Sequence, residues 1–120
     1  MTAEIDIQNA IRRELGKLGH YVFRSNVGQV KMPNGRIFDT GLPKGFPDLF
    51  GFRKSDGKIF FIEVKNEKGR LRPEQVKFQN AMSKQHVLCG VARSVEDAVR
   101  IVDEGFAEVQ DGIYVLKEGE

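Results

Sequence analysis

Apolar and polar positions along the chain follow two periods, and each period marks a different kind of element. Over residues 3–18, apolar side chains recur every three or four positions, which predicts a helix that Gly19 ends. The expected core-facing stripe of this helix is Ile7, Ile11, Leu15 and Leu18. Pro73 suits the first turn of a second helix that runs to about Lys84. Ser94 is the expected N-cap of a third helix, which ends near Gly105.

Short apolar or alternating runs between these helices predict strands. They are "YVFRS", the hairpin "VGQVKMPNGRIFD" turning at Asn34-Gly35, the hairpin "GFPDLFGFRKSDGKIFFIEVK" with a turn signal at Asp56-Gly57, "HVLCGVA", and a small terminal hairpin around Asp111-Gly112. This order of elements predicts an α/β sandwich with a mixed central sheet flanked by helices. A length of 120 residues fits a single domain, residues 1–120, with one core.

The second hairpin carries charges where strands usually exclude them. Asp48 lies near its start, and Glu63 and Lys65 lie near its end. Strand side chains alternate faces, so Glu63 and Lys65 point the same way. If Asp56-Gly57 form a two-residue turn, Asp48 lies directly across from Lys65, and all three polar groups converge at one end of the hairpin.

Convergent carboxylates predict a site for a divalent cation. Hard oxygen ligands suit Mg²⁺ or Mn²⁺, and such an ion can polarise a phosphodiester and activate water. Lys65 could then stabilise charge on the phosphate, which indicates a nuclease. The alternative interpretation is an Asp–Lys ion pair with Glu63 solvated at a strand end.

Three further features favour the nuclease interpretation. Glu4 lies on the core-facing line of the first helix, where it could reach a metal, although acids also suit a helix's first turn. The segment "GRLRPEQ" places Arg70 and Arg72 before a helix that Gln75 opens. Loop residues with phosphate-binding side chains complete the set, and a solvated loop explains them equally well: Arg24, Ser25, Asn26, Lys31 and Lys44.

Charge is distributed unevenly along the chain. Residues 1–90 hold 16 Lys or Arg and 9 Asp or Glu, a net charge of +7, whereas residues 91–120 hold 3 and 8, a net charge of −5. A basic body suggests an anionic partner such as nucleic acid. The acidic part could mimic DNA or dock a partner, or it could be a solvated helix face.

Other classes of function lack support in the sequence. No apolar run reaches the length of a signal peptide or a membrane span, and the single Cys89 reads as a buried strand thiol, so a cytoplasmic protein is expected. His20, His86 and Cys89 lack the spacing of a zinc site. No Gly-rich phosphate loop is present, so no nucleotide cofactor is expected.

The motif "GFPDL" followed by "FFIEVKNEKGRLRPEQVKFQ" resembles the PD-(D/E)xK nucleases, specifically the virus-type replication-repair nuclease (VRR-NUC) domain. The resemblance covers roughly residues 3–95 and includes "EIDIQNAI" and "FRSNVG". It implies a restriction-endonuclease-like fold and phosphodiester hydrolysis with Mg²⁺ or Mn²⁺. The matching residues are Asp48 and Glu63 as metal ligands, the Val64 carbonyl as a further ligand, Lys65 as the catalytic lysine, Glu4 as the helix-one acid, and Gln75.

The resemblance also implies partners. Similar small domains from phages and bacteria act as homodimers on branched DNA such as four-way junctions, so a bacterial or phage-infected cell is the expected setting. Phenylalanines in the second hairpin are either a candidate dimer surface or core: Phe46, Phe50, Phe52, Phe60 and Phe61. The alternatives are a nuclease for flapped or single-stranded DNA or for RNA, and a catalytically idle DNA-binding module of the same fold.

Overall fold

A computed structural model of the protein describes residues 2–105. The elements follow the predicted order of helices and strands. They are α1 (Glu4–Lys17), β1 (Tyr21–Arg24), β2 (Gln29–Lys31), β3 (Ile37–Asp39), β4 (Leu49–Phe52), β5 (Ile59–Val64), α2 (Pro73–Met82), β6 (Leu88–Ala92) and α3 (Val95–Glu104). The terminal hairpin predicted around Asp111-Gly112 lies outside the described residues.

Strands β1, β4, β5 and β6 form one mixed sheet in that order, antiparallel except for the parallel β5–β6 pair. Successive side chains of β5 point to opposite faces of the sheet, and different helices cover the two faces. Phe60, Ile62 and Val64 are buried against α1 and α3, whereas Phe61 packs on the opposite face with residues of α2. The predicted α/β sandwich with a mixed central sheet is therefore confirmed.

Helix α1 covers the sheet with a shorter stripe than the sequence suggested. Ile7, Ile11 and Leu15 are buried, as predicted, but Leu18 is 41% exposed. The helix ends at Lys17, so Leu18 is its C-cap, and Gly19 turns the chain directly after it with φ of 93°.

The β4–β5 hairpin corrects the predicted register. Arg53 and Lys58 close a four-residue loop, where a two-residue turn at Asp56-Gly57 was expected. Phe50 consequently lies across from Phe61, and the same register continued places Asp48 across from Glu63, where Lys65 was expected. Two extra loop residues shift the pairing by two, which preserves the face on which every side chain lies.

Helix α3 has the predicted ends: the Ser94 hydroxyl accepts a hydrogen bond from Asp97 N at 3.1 Å, and Gly105 is left-handed. Cys89 is buried in β6, and burial raises the pKa of its thiol to about 12.

The hairpin phenylalanines, candidates for either core or a dimer surface, are mostly buried or half-buried. Phe60 is fully buried, while Phe46 contacts Phe50, Phe61 and Phe78 in an aromatic cluster on the α2 side. Phe52 is exposed.

Candidate active site

Asp48 lies at the start of β4, and two backbone contacts fix its position. Its carbonyl accepts a hydrogen bond from Ser25 N at 2.9 Å, which ties it to the end of β1. Its carboxylate Oδ2 accepts a hydrogen bond from Val64 N at 2.9 Å. The carboxylate is thus held across the end of β5, beside Glu63.

Glu63 is buried in the α2 face of the sheet, with an exposed fraction of 2%. Gln75 Nε2 donates a hydrogen bond to Glu63 Oε2 at 3.2 Å, and Lys65 Nζ lies 3.9 Å from the same oxygen. Burial of the charged form would be expensive with only these partners. The structure therefore brings Asp48, Glu63, Lys65 and Gln75 together, as the sequence predicted.

The position of Asp48 affects the protonation of Glu63. Burial raises the pKa of Glu63, the charge of Asp48 and a hydrogen bond that protonated Glu63 donates to the Asp48 carboxylate raise it further, and Lys65 only partly opposes them. Two carboxylates so close are costly to ionise together, so the protonated form of Glu63 is favoured unless a compensating charge is present. A divalent cation would supply that charge in place of the proton.

Gln75 connects this pair to the start of α2. Its side-chain Oε1 accepts a hydrogen bond from Arg72 N at 2.8 Å while its Nε2 reaches Glu63. The Gln75 side chain thus accepts a hydrogen bond from a backbone N–H at the start of α2 and also orients the Glu63 carboxyl group. The sequence indicated Gln75 only by its place in the motif; the structure shows what both of its ends contact.

Glu4 reaches the same region from α1. A Cβ added at Gly69 would lie 2.8 Å from Glu4 Oε2 and 3.2 Å from Lys65 Cδ, so Gly69 leaves room for both side chains. Residues 2–105 contain no group of three or more His, Cys, Asp or Glu side chains arranged to hold a metal ion. Glu4 thus adjoins Lys65 without completing a three-carboxylate group, and its role as a metal ligand stays a prediction.

Arg93 holds the loop that follows Lys65, and no pattern in the sequence indicates this role. Its guanidinium donates hydrogen bonds to the carbonyls of Asn66 and, at 2.8 Å, of Gly69. The Asn66 side chain also accepts a hydrogen bond from Gly69 N at 2.8 Å. Contacts to backbone carbonyls far away in the sequence leave no pattern in residue types, which explains why Arg93 was missed.

A cleft of about 340 Å³ opens beside Asp48 and Gln75. Its wall includes the predicted phosphate-binding residues Lys44 and Arg72, together with Gly28 and Gln29. Arg24, Asn26, Lys31 and Arg70 are exposed but do not line this cleft, and the buried Ser25 hydroxyl has no hydrogen-bond partner among residues 2–105.

The donor set fits Mg²⁺ or Mn²⁺. Magnesium usually binds through one or two carboxylates and keeps several waters, so a three-carboxylate cage is not required. Asp48 and Glu63 are the two carboxylates, and a cation bound by both would relieve the repulsion that raises the pKa of Glu63. Lys65 beside them is a cation that can reach a phosphate.

Within residues 2–105, no helix is both long enough and apolar enough to cross a bilayer.

Comparison with known proteins agrees with this geometry. The comparison with curated proteins gives no match. A solved structure described as a VRR_NUC domain has a TM-score of 0.61 and 23% sequence identity, covering 86% of this chain and 97% of that chain. At this identity the likeness shows the fold. The model of the VRR-NUC domain family matches residues 4–96, which include every residue of the carboxylate pair and its surroundings. The chain therefore belongs to the VRR-NUC domain family, whose fold is that of nucleases.

Proposed function

We propose that the protein is a Mg²⁺- or Mn²⁺-dependent endodeoxyribonuclease that selects branched DNA and acts as a homodimer. The observation that carries the proposal is the hydrogen-bonded Asp48–Glu63 pair at a cleft lined by Lys44 and Arg72. A structural ion pair would not need two neighbouring carboxyl groups next to a basic cleft. Membership of a nuclease-fold family and the nucleic-acid binding it implies support the same conclusion.

The roles of the residues follow from their contacts. Asp48, Glu63, the Val64 carbonyl and Glu4 would hold the ion, which when bound polarises a phosphodiester and makes its water more acidic. Lys65 stabilises negative charge on the phosphate. Gln75 keeps Glu63 oriented, and Lys44 and Arg72 neutralise the flanking phosphates.

Homodimerisation is proposed from symmetry. One active site cuts one strand, so paired nicks across a symmetric junction need two sites related by a two-fold axis. The exposed aromatic side chains of β1 and β4, at one edge of the sheet, support a contact between copies: Tyr21, Phe23 and Phe52. We also propose a cytoplasmic setting in a bacterial or phage-infected cell.

Cleavage assays test the proposal directly. A synthetic four-way junction, a flap, a linear duplex, a single strand and an RNA duplex are incubated with Mg²⁺, Mn²⁺ or EDTA. Symmetric, metal-dependent nicking of the junction is expected, together with its loss in Asp48→Ala and Glu63→Gln. Glu67→Gln, in the exposed loop after β5, is the matched control and retains activity.

Each other outcome points to a different function. Cleavage of flap, single strand or RNA alone would keep the active site and replace the substrate. DNA binding without cleavage of any substrate would favour the idle binding module. Near wild-type cleavage by either carboxylate variant would contradict the site assignment.

A further inference from the structure

The β2–β3 hairpin, residues 29–39, forms its own two-stranded sheet and pairs with no strand of the main sheet among residues 2–105. Every residue of both strands is exposed. Its three-residue loop, residues 33–35, closes between Met32 and Arg36, and Gly35 has φ of 85°. The hairpin is therefore a well-defined projection that buries none of its side chains fully.

The register divides the hairpin into two different faces. Val30 lies across from Phe38, and Met32 across from Arg36, so these four side chains share one face. The other face carries Lys31, Ile37, Gln29 and Asp39. The first face is an apolar strip bordered by a guanidinium, and Phe38 in it is 58% exposed. We call it the hairpin strip: Val30, Met32, Arg36 and Phe38.

The hairpin continues directly from the cleft that contains Asp48. Gly28 and Gln29 line that cleft, and Gly28 accepts a hydrogen bond from Thr40 N at 2.9 Å while its own N–H donates to the Leu42 carbonyl at 3.1 Å. These bonds fix the base of the hairpin at the cleft. From there its three-residue strands extend about 10 Å, at about 3.3 Å per residue.

Charge selects the partner for the hairpin strip. Residues 28–44 carry Lys31, Arg36 and Lys44 against the single acid Asp39, whose carboxylate accepts a hydrogen bond from Gly41 N at 2.8 Å. A basic border suits a polyanion, and an exposed ring beside methyl and thioether groups suits the flat face of a nucleobase. Unstacked bases of a DNA strand offer both chemistries together.

We propose that the hairpin strip is a stacking surface for unpaired nucleobases at a branch point, with Phe38 as the stacking ring and Arg36 on the adjacent phosphate. The inference rests on the proposed nuclease function. It identifies the hairpin strip as the surface that distinguishes branched or single-stranded DNA from a continuous duplex. Asp48 and Glu63 act on the backbone, which is the same in every DNA, whereas the hairpin strip contacts bases that only a branched or single-stranded substrate exposes.

Photocrosslinking tests the proposal without catalysis. A four-way junction with 5-iodouracil at its branch point is bound by the Asp48→Asn protein and irradiated, and the crosslinked peptide is identified by mass spectrometry. We expect the crosslink in residues 29–39, its loss in Phe38→Ala, and its retention in Phe38→Trp. Ile37→Ala, which removes an exposed apolar side chain from the opposite face of the same hairpin, is the control and should keep the crosslink.

Cleavage rates provide the second measurement. In the otherwise wild-type protein, Phe38→Ala should lower kcat/KM for the junction about tenfold, as expected for loss of one stacked base. Its kcat/KM for a linear duplex should stay within about twofold, because no base is unstacked there. Phe38→Trp should restore junction cleavage.

The outcomes separate this inference from the proposed function. Cleavage of the junction with no crosslink to the hairpin, or an equal loss on junction and duplex in Phe38→Ala, would overturn the stacking role alone. A hairpin crosslink without cleavage by the wild-type protein would overturn the nuclease proposal alone. A sedimentation shift from dimer to monomer in Phe38→Ala would overturn the stacking role by assigning the hairpin strip to a second copy.

Discussion

At the scale of single residues, Lys65 combines near-complete burial with a weak partner. Its Nζ lies 3.9 Å from Glu63 Oε2, beyond hydrogen-bonding distance, so the ammonium can approach a phosphate oxygen without breaking a strong contact. We expect Lys65→Met, which keeps the stem, to lower kcat by about 10²–10³ because the phosphate loses a positioned cation. Thermal unfolding should still show stabilisation by Mn²⁺, since both carboxylates remain.

The control for this prediction is Lys68→Met in the exposed loop that follows. It removes the same charge outside the enclosed site and should change kcat little. Equal losses in the two variants would show that Lys65 acts through general charge, not through its position.

His20 gives the fold a pH dependence that is separate from the active site. Its Nδ1 accepts a hydrogen bond from Lys54 N at 2.9 Å, so the neutral ring is the bonded form. Burial lowers the pKa of His20 from 6.5, Arg53 and Lys54 lower it further, and Asp103 opposes them. The unfolded chain therefore binds this proton more readily, and the free energy of unfolding should fall as pH drops below about 6.5.

Thermal unfolding between pH 5.5 and 7.5 measures this effect. In His20→Asn the amide oxygen can accept the bond from Lys54 N without titrating, so the contribution of His20 to the pH dependence should disappear. His86→Asn, which replaces the other histidine, should leave the dependence unchanged. The reverse result would assign the dependence to His86.

At the scale of elements, the loop that precedes β4 lies close to the first turn of α2. This close approach sets the position of Asp48 relative to Gln75. Gly45 has φ of 90°, and a Cβ there would collide with the Glu74 carbonyl in the first turn of α2. Gly45→Ala should therefore lower the free energy of unfolding by about 1–3 kcal/mol and also reduce cleavage, because the loop must move away from α2.

Gly57→Ala is the control that distinguishes the cost of backbone strain from the cost of the collision with the Glu74 carbonyl. Gly57 has φ of 74°, but a Cβ there would meet no atom within 4 Å. Gly57→Ala should cost about 1 kcal/mol and leave kcat unchanged. A loss of activity in Gly57→Ala equal to that in Gly45→Ala would show that the close approach to α2 is not what matters. Chemical denaturation and cleavage assays measure both quantities.

The loop after β5 is the second element that arranges the site. Arg93→Lys removes the two-pronged contact with the Asn66 and Gly69 carbonyls while keeping the charge. We expect kcat to fall by about 10–100-fold with little change in KM, since the loop that leaves room for Glu4 loses its anchor. Arg100→Lys on the exposed side of α3 is the control, and a loss there of similar size would contradict a specific role for Arg93.

Elements were predictable from the sequence to different extents, for physical reasons. The hydrophobic periodicity predicted α1 and the two faces of β5. It also predicted that Asp48 and Glu63 lie at one site, although the hairpin loop is longer than expected. Loop length was not predictable, because Asp56-Gly57 suits both two- and four-residue loops. The contact of Glu4 with Gly69 depends on how α1 crosses the sheet, which no local pattern encodes.

At the scale of the whole molecule, the small net charge conceals a basic body that contributes to the cleft proposed to bind DNA. Residues 1–90 are basic, and two of their cations, Lys44 and Arg72, line the cleft. Phosphate contacts release counterions, so the logarithm of the DNA-binding constant should fall linearly with the logarithm of salt concentration. The slope measures how many phosphates the folded protein contacts.

Single charge removals at the cleft should change that slope. We expect Lys44→Gln and Arg72→Gln each to reduce its magnitude by about 0.9 on duplex DNA, and to weaken binding equally for all sequences, because phosphates carry no sequence information. Lys84→Gln is the matched control, since it lies beyond the far end of α2, about 15 Å from the first turn of that helix. Fluorescence anisotropy at several salt concentrations, in the Asp48→Asn background, gives the slopes. An unchanged slope in both cleft variants would mean that DNA does not run along the wall formed by Lys44 and Arg72, and the path of the substrate would have to be placed elsewhere on the basic surface.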